Sequence, residues 1–239
     1  MKNSTKNTAR RNGRREMPGT AAPEGCCQVE EDTIMHELTV KFYNEHASEM
    51  ADLYERADMS SFYKGILPLV KPGMAILEIG CGSGRDARLF AGLGATVTAT
   101  DASLGMLEEA RRRDDAATVN FLQKAFPLPD GDTLFGKKYD LIVAMAVISH
   151  IPCAERPAFM QQIKHLLATG GFFVCSWANK LGETERLYEH LTQTEMAALV
   201  ENANLEVVRH CASFDVLGRD VRWLNILVRN PGTVFYERS

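Results

Sequence analysis

No stretch of this 239-residue chain sustains an apolar run near 18 residues, and no apolar signal core follows its opening residues. Membrane spanning and signal-directed export are therefore unsupported, and a cytoplasmic protein is the expectation. The six cysteines, Cys26, Cys27, Cys81, Cys153, Cys175 and Cys211, include no C-x-x-C pair, and no cluster of histidine, cysteine and acid has metal-ligand spacing. Reduced thiols and no metal are expected. An internal repeat is also missing, which argues against a solenoid or propeller. Basic charge is sparse outside one place: the first sixteen residues hold six Lys or Arg against a single acid, leaving 21 basic and 30 acidic residues, a net of −9, for the remainder. A body this acidic makes a broad phosphate-binding surface, and with it nucleic acid as partner, a poor expectation.

What the chain does have is a glycine-rich turn. Ile76-Leu77-Glu78-Ile79 reads as an apolar strand, and Gly80-Cys81-Gly82-Ser83-Gly84 follows it before a helical pattern resumes at Arg85-Asp86. Glycines at alternate positions let the backbone turn tightly and let a ligand approach closely, while the next helix offers unpaired N–H groups. A dinucleotide fingerprint counted from Gly80 would need a small residue where Arg85 stands, so G-x-G-x-G is what remains. A second apolar stretch, Val97-Thr98-Ala99-Thr100, ends in Asp101, seventeen residues past Gly84.

Periodicity organises the rest. A basic leader over 1–33 is expected to be disordered, and helical patterns at 36–57 and 61–69 form an N-terminal lid over 34–70. From 71 to 239 strands alternate with helices: strands at 75–79, 96–100, 119–122, 141–147 and 172–177, helices at 85–93, 104–113, 157–167 and 193–202, then strands at 207–212 and 223–229. The turn Thr169-Gly170-Gly171 is expected to stop the 157–167 helix. This order implies an α/β, Rossmann-like, doubly wound sheet of seven strands, mostly parallel, with the last two closing it as an antiparallel edge. Ligands of such sheets lie beyond the carboxyl ends of the strands, where Gly80 to Gly84, Asp101, Ala125-Phe126 and Ala144 to His150 all fall.

Glu78-Ile79-Gly80-Cys81-Gly82-Ser83-Gly84, with Asp101 at the end of the next strand, resembles the first motifs of class I S-adenosylmethionine-dependent methyltransferases. A bacterial subgroup also carries G-C-G-S-G-R-D-A, present at 80–87, together with a late acid, glycine-arginine pair and tryptophan, matched by Asp215, Gly218-Arg219 and Trp223. The resemblance implies S-adenosyl-L-methionine as cofactor, with Glu78, Gly80, Cys81, Gly82, Ser83 and Gly84 at its turn and Asp101 on its ribose diol. It also implies Ala102 and Met106 beneath adenine, Ala125 and Phe126 over it, and Ala144 and Met145 at the fourth strand end. Arg85 and Asp86 would hold the methionyl carboxylate and amine, or else form a surface ion pair and a helix cap.

Methyl transfer from a sulfonium is an in-line displacement at a carbon the cofactor already activates, so the protein must mainly hold and orient the acceptor. His150 could take the acceptor's proton, orient it, or serve structure alone. Tyr43, His46, Met50 and Tyr54 share one helical stripe: Tyr43 and Tyr54 are candidate catalytic groups and His46 a candidate acceptor ligand, with packing as the alternative. Trp177, Arg186, Arg219 and Trp223 are candidates for the acceptor pocket, Arg219 alternatively pairing with Asp215. The expected reaction is methylation of a nitrogen, oxygen or chalcogen of a small metabolite, an amino-acid-like or imidazole-type molecule being one option, by a monomer or homodimer. Methylation of tRNA or protein with the leader as docking arm is a second reading, and a non-catalytic cofactor-binding regulator a third.

Overall fold

The computed structural model describes residues 29–179, 186, 188–215 and 221–232. Helices α1 (Val29–Glu45), α2 (Ala47–Arg56) and α3 (Ser60–Ile66) precede β1 (Ala75–Ile79), α4 (Arg85–Gly92), β2 (Thr96–Asp101), α5 (Leu104–Arg113) and β3 (Val119–Gln123). There follow β4 (Tyr139–Met145), α6 (Arg156–Leu166), β5 (Leu167–Ala178), α7 (Gln193–Asn202), β6 (Glu206–Phe214) and β7 (Arg222–Arg229).

One sheet holds all seven strands in the order β3-β2-β1-β4-β5-β7-β6. Pairing from β3 through β5 is parallel, and β7 runs antiparallel to both of its neighbours. The chain winds outward from β1 to β3 and then returns to β4 on the other side, which leaves a crevice between the ends of β1 and β4. Two apolar layers sandwich the sheet. Phe159, Ile163 and Phe173 centre one, and Phe90, Leu107 and Leu141 the other, all fully buried. The central strands β1 and β4 are apolar on both faces because both layers cover them, as parallel strands require.

Three expectations about the elements change. Helix α1 already begins at Val29, inside the stretch read as leader, and the single helix expected over 36–57 is broken at His46, whose backbone (φ −110°, ψ 18°) leaves the helical region. The break lets Ala47 and Ala51 pack on Met106 of α5. Gly105 makes this close approach possible, since a Cβ there would sit 3.0 Å from the Asn44 carbonyl oxygen and 3.1 Å from Ala47 Cβ. Third, Gly170-Gly171 does not stop a helix. Helix α6 ends at Leu166 and β5 runs through both glycines, where the register against β4 shifts and a Cβ on Gly171 would lie 3.0–3.1 Å from three carbonyl oxygens.

The thiols divide as well. Cys81, Cys175 and Cys211 are free, whereas Cys153 is disulfide-bonded, against the expectation of uniformly reduced cysteines. No helix among the described residues is long and apolar enough to cross a membrane.

Candidate functional site

Beyond the ends of β1, β2 and β4 lies a cavity of about 750 Å³, roofed by α1, α2 and α3 and walled on its far side by Arg186, Tyr188, residues 212–215, Trp223 and Asn225. That volume is within the roughly 300–1,000 Å³ typical of small-molecule sites.

Its first half is built from the glycine turn. Gly80, Gly82 and Gly84 adopt φ of +67°, +54° and +73°, a region that side chains with a Cβ enter at a penalty. Space is short as well as conformation: a Cβ on Gly80 would meet Val147 Cγ2 at 2.4 Å, and one on Gly82 would meet the Tyr54 ring at 3.2 Å. Gly84 faces away from the cavity, its missing Cβ making room for Ala110 and Phe121 at 3.0 Å. At the end of β2, Asp101 Oδ2 accepts a hydrogen bond from the Gly82 N–H and Oδ1 one from the Ser103 N–H, both 2.9 Å. Burial pushes its carboxyl up from the usual range, and the backbone donors oppose that push. Each oxygen keeps a lone-pair direction for a further donor, which suits a vicinal diol.

Glu78 lies deeper, with Oε2 buried and without a hydrogen-bond partner. Burial, and then the nearby negative charge of Asp86, raises its carboxyl well above the ordinary value. An orphaned buried carboxylate oxygen on a cavity wall implies a donor that completes it. Arg85 and Asp86, expected at the methionyl end, are engaged with each other: Arg85 Nε donates to Asp86 Oδ1 at 2.7 Å, and Arg85 Nη1 donates to the Tyr54 carbonyl at 2.6 Å. Tyr63 Oη also donates to Asp86 Oδ1. The turn is thereby tied to α2 and α3, and both residues still line the cavity. Together the turn, the Asp101 acceptor pair and the open Glu78 oxygen fit a cofactor with a ribose diol and an aminoacyl tail.

The second half is aromatic and basic. Tyr43 Oη stands 3.3 Å from His150 Nε2, 3.0 Å from Arg186 Nη1, which donates to it, and 3.5 Å from Tyr54 Oη. The Arg186 guanidinium sits 5.1–5.6 Å from the ring centres of Phe42, Tyr43 and Tyr188, within cation–π range of each. Tyr188 in turn packs on the His150 ring at 4.6 Å. Burial, reinforced by Tyr43 beside it, raises the Tyr54 phenol well above its ordinary value, so Tyr54 is a neutral donor at physiological pH. His150 owes its place to a 3-10 turn after β4, entered through Ala146 at φ +60°, whose N–H is held by the Ser176 carbonyl and hydroxyl oxygens at 3.0 and 3.1 Å.

The cavity brings together Tyr43, Tyr54, His150, Arg186 and Trp223 with Glu78, Gly80 to Ser83, Arg85, Asp86, Asp101, Ala102, Met106, Ala125, Phe126 and Met145. Besides Gly84, it does not bring in three others. Trp177 is turned into the core with Nε1 donating to the Leu191 carbonyl at 2.7 Å, because alternate β5 side chains face opposite layers. His46 marks the α1–α2 break and stacks on Phe42 at 4.5 Å. Ala144 is fully buried inside the sheet. Arg219 lies outside the described residues; Asp215, its suggested partner, accepts from Trp223 Nε1 at 2.9 Å. Sequence reasoning missed His36, Thr39, Phe62, Tyr188 and Asn225 on the cavity wall. Thr39 shares the helical face of Tyr43 four residues on and was within reach of that stripe; the others belong to no motif.

Residues 77–173 match the family model described as a methyltransferase domain. Among curated proteins, the ubiquinone biosynthesis O-methyltransferase of Dinoroseobacter shibae is 30% identical over 155 residues, covering 57% of this chain and 61% of that one. The protein of the same name from Cereibacter sphaeroides is 30% identical over 113 residues, covering 47% and 44%. The chain thus spans roughly two-fifths to three-fifths of the length of the curated relatives it matches. In three dimensions, a Burkholderia thailandensis 1,6-didemethyltoxoflavin-N1-methyltransferase with bound S-adenosylhomocysteine superimposes with a TM-score of 0.66 at 19% identity, over 89% of this chain and 94% of that one. A Haloferax volcanii methyltransferase in complex with the activator Trm112 gives 0.68 at 16% identity, over 83% and 100%. These two likenesses carry the fold.

Proposed function

Starting from a chain whose sheet carries a class I S-adenosylmethionine-dependent methyltransferase domain, we propose that it methylates a nucleophilic oxygen, nitrogen or chalcogen of a small metabolite within the lidded cavity. The observation that carries this reading is continuity: one cavity runs from the Asp101 carboxylate to the Tyr43–His150 pair. A roof of three helices leaves room for a compact acceptor, and the acidic body offers a polyanion little purchase.

In this reading Asp101 holds the ribose hydroxyls and the Gly80–Gly84 turn admits the backbone close to the nucleoside. Glu78, with Asp86 next to it, receives the cofactor's ammonium. Bound S-adenosylmethionine supplies an electrophilic methyl group on sulfur. The chain's own part is to align the acceptor, exclude water beneath the lid, and receive a proton on the Tyr43–His150 side. Cytoplasmic location belongs to the same proposal, as does a small-molecule partner. So do the domain limits, with a lid at 34–70 and the catalytic unit at 71–239, although the helix that opens the lid begins at Val29.

The test is turnover of S-adenosylmethionine on a panel of hydroxylated, amine-bearing and heteroaromatic metabolites, with bulk tRNA and a protein lysate alongside, read as S-adenosylhomocysteine released. Product with one class of metabolite and none with the macromolecules supports the reading. Methylation of tRNA or protein alone contradicts it, and tight cofactor binding with no product from any acceptor supports the regulator instead.

A further inference from the structure

The hydroxyl of Tyr43 has three polar neighbours, and their chemistry fixes the direction of every bond between them. Arg186 has donors only, so its Nη1 must give a proton to Tyr43 Oη at 3.0 Å. The single Tyr43 proton can then go to His150 Nε2 at 3.3 Å or to Tyr54 Oη at 3.5 Å. The imidazole nitrogen is both nearer and the stronger base. Tyr54, neutral and half-buried, then donates its own proton back to Tyr43. Both lone pairs on Tyr43 Oη are filled, and its proton points at His150. A protonated Nε2 would place a third donor against the same oxygen, beside a guanidinium, and the arrangement disfavours it.

We infer that Arg186 is a positioning residue, which by orienting the Tyr43 hydroxyl keeps His150 as a neutral imidazole with Nε2 free of its proton, and that the acceptor is a molecule whose nucleophilic atom carries a proton to lose, a hydroxyl or an uncharged N–H amine. This rests on the transferase reading given above. In the step, the bond from the acceptor's oxygen or nitrogen to the methyl carbon forms as the carbon–sulfur bond breaks. The acceptor takes over the lone pair of Tyr43 Oη that the long Tyr54 bond of 3.5 Å gives up; its proton passes to Tyr43 Oη while the Tyr43 proton passes to His150 Nε2, and the positive charge that leaves the sulfonium ends on the imidazolium, which later releases its proton to solvent. An acceptor already ionised at neutral pH, such as a carboxylate, has no use for this chain of bonds.

Two readouts test it. The first uses protein labelled with 15N on histidine, without cofactor or acceptor, the His150 signals being identified by their loss in His150→Gln. The expected spectrum has Nδ1 protonated and Nε2 bare, and in Arg186→Met the Nε2 signal moves toward the protonated position because Tyr43 can now accept from it. A proton on Nε2 in the unaltered protein, or an Arg186→Met spectrum identical to it, overturns the inference. The second readout is kinetic: Tyr43→Phe lowers kcat about hundredfold and Arg186→Met tenfold or more, around the lower reach of what positioned proton transfer contributes. Cofactor affinity stays unchanged in both, and Arg186→Lys, again an obligate donor, recovers most of the loss. Equal kcat in Arg186→Met and the parent, or no recovery with lysine, counts against the role. Should Arg186→Met not fold, the Tyr43→Phe and Arg186→Lys arms still decide. The spectral arm needs no turnover, so a correct tautomer in an inert protein would sink the transferase reading and leave the bond network standing.

Discussion

The two halves of the cavity are made in opposite ways. Its cofactor side is a local construction: Glu78 through Asp86 is nine consecutive residues, and Asp101 reaches Gly82 across nineteen positions. Backbone N–H groups and missing Cβ atoms do most of its work. Its acceptor side is assembled from distant side chains, with Tyr43 lying 107 positions from His150 and 143 from Arg186. A ligand common to many proteins can be held by backbone geometry that varies little, whereas an acceptor peculiar to one protein needs side chains brought in by loops and a lid. The halves should therefore fail separately when altered.

The largest separation is expected from Asp101→Ala. Losing two acceptors for ribose hydroxyls should weaken cofactor binding by at least about hundredfold, or ~3 kcal/mol, measured by calorimetry, with the His150 tautomer unmoved. Unchanged affinity would remove Asp101 from the ribose. Gly80→Ala, by contrast, should damage both halves together. Its Cβ would meet Val147 in the segment that leads to His150, and the left-handed φ adds strain, so a destabilisation of about 1–3 kcal/mol in a denaturant titration is expected.

The lid offers a finer probe. Asn44 Oδ1 accepts from the Ser103 hydroxyl at 2.8 Å and the Gly105 N–H at 3.0 Å, pinning α1 to the start of α5. Asn44→Ala should loosen that corner by about 1–2 kcal/mol, seen as faster hydrogen exchange in α1, and raise the acceptor KM more than it weakens the cofactor. If both constants shift equally, the lid serves the two halves alike and the contrast between them is too sharp.

How much of this was legible in the sequence follows from the same contrast. The sheet, its order of strands and helices, and the turn with Asp101 were readable because each rests on a short pattern with a fixed backbone consequence. Trp177 was misplaced because residue type alone does not say which face of β5 looks into the cavity, and of the two roles open to His46 the structure shows packing, since residue type does not say where α1 breaks. That break depends on Gly105 meeting Asn44 and Ala47, some sixty positions away, a contact no local periodicity reveals. Tyr188 and Asn225 carry no motif and enter the wall only through the way the chain returns after β5.

The smallest expected effect concerns the buried acid. Glu78 has a carboxyl pKa raised by burial, so between the ordinary carboxylate value and its folded value the native state holds an extra proton. Stability attributable to this group therefore falls as pH rises through that window. Glu78→Gln removes the penalty, so its melting temperature should exceed the parent's above that window, and the gain should vanish as pH falls to the ordinary carboxylate range. Cofactor affinity should fall in the same variant. A gain that persists at low pH would mean the glutamine packs better for reasons unrelated to charge.

The most direct examination of the whole account is a crystal structure with S-adenosylhomocysteine bound. The account predicts ribose hydroxyls on the Asp101 carboxylate and the thioether sulfur turned toward the Tyr43 hydroxyl and His150. A nucleoside seated elsewhere, or a sulfur facing away from that pair, would contradict it.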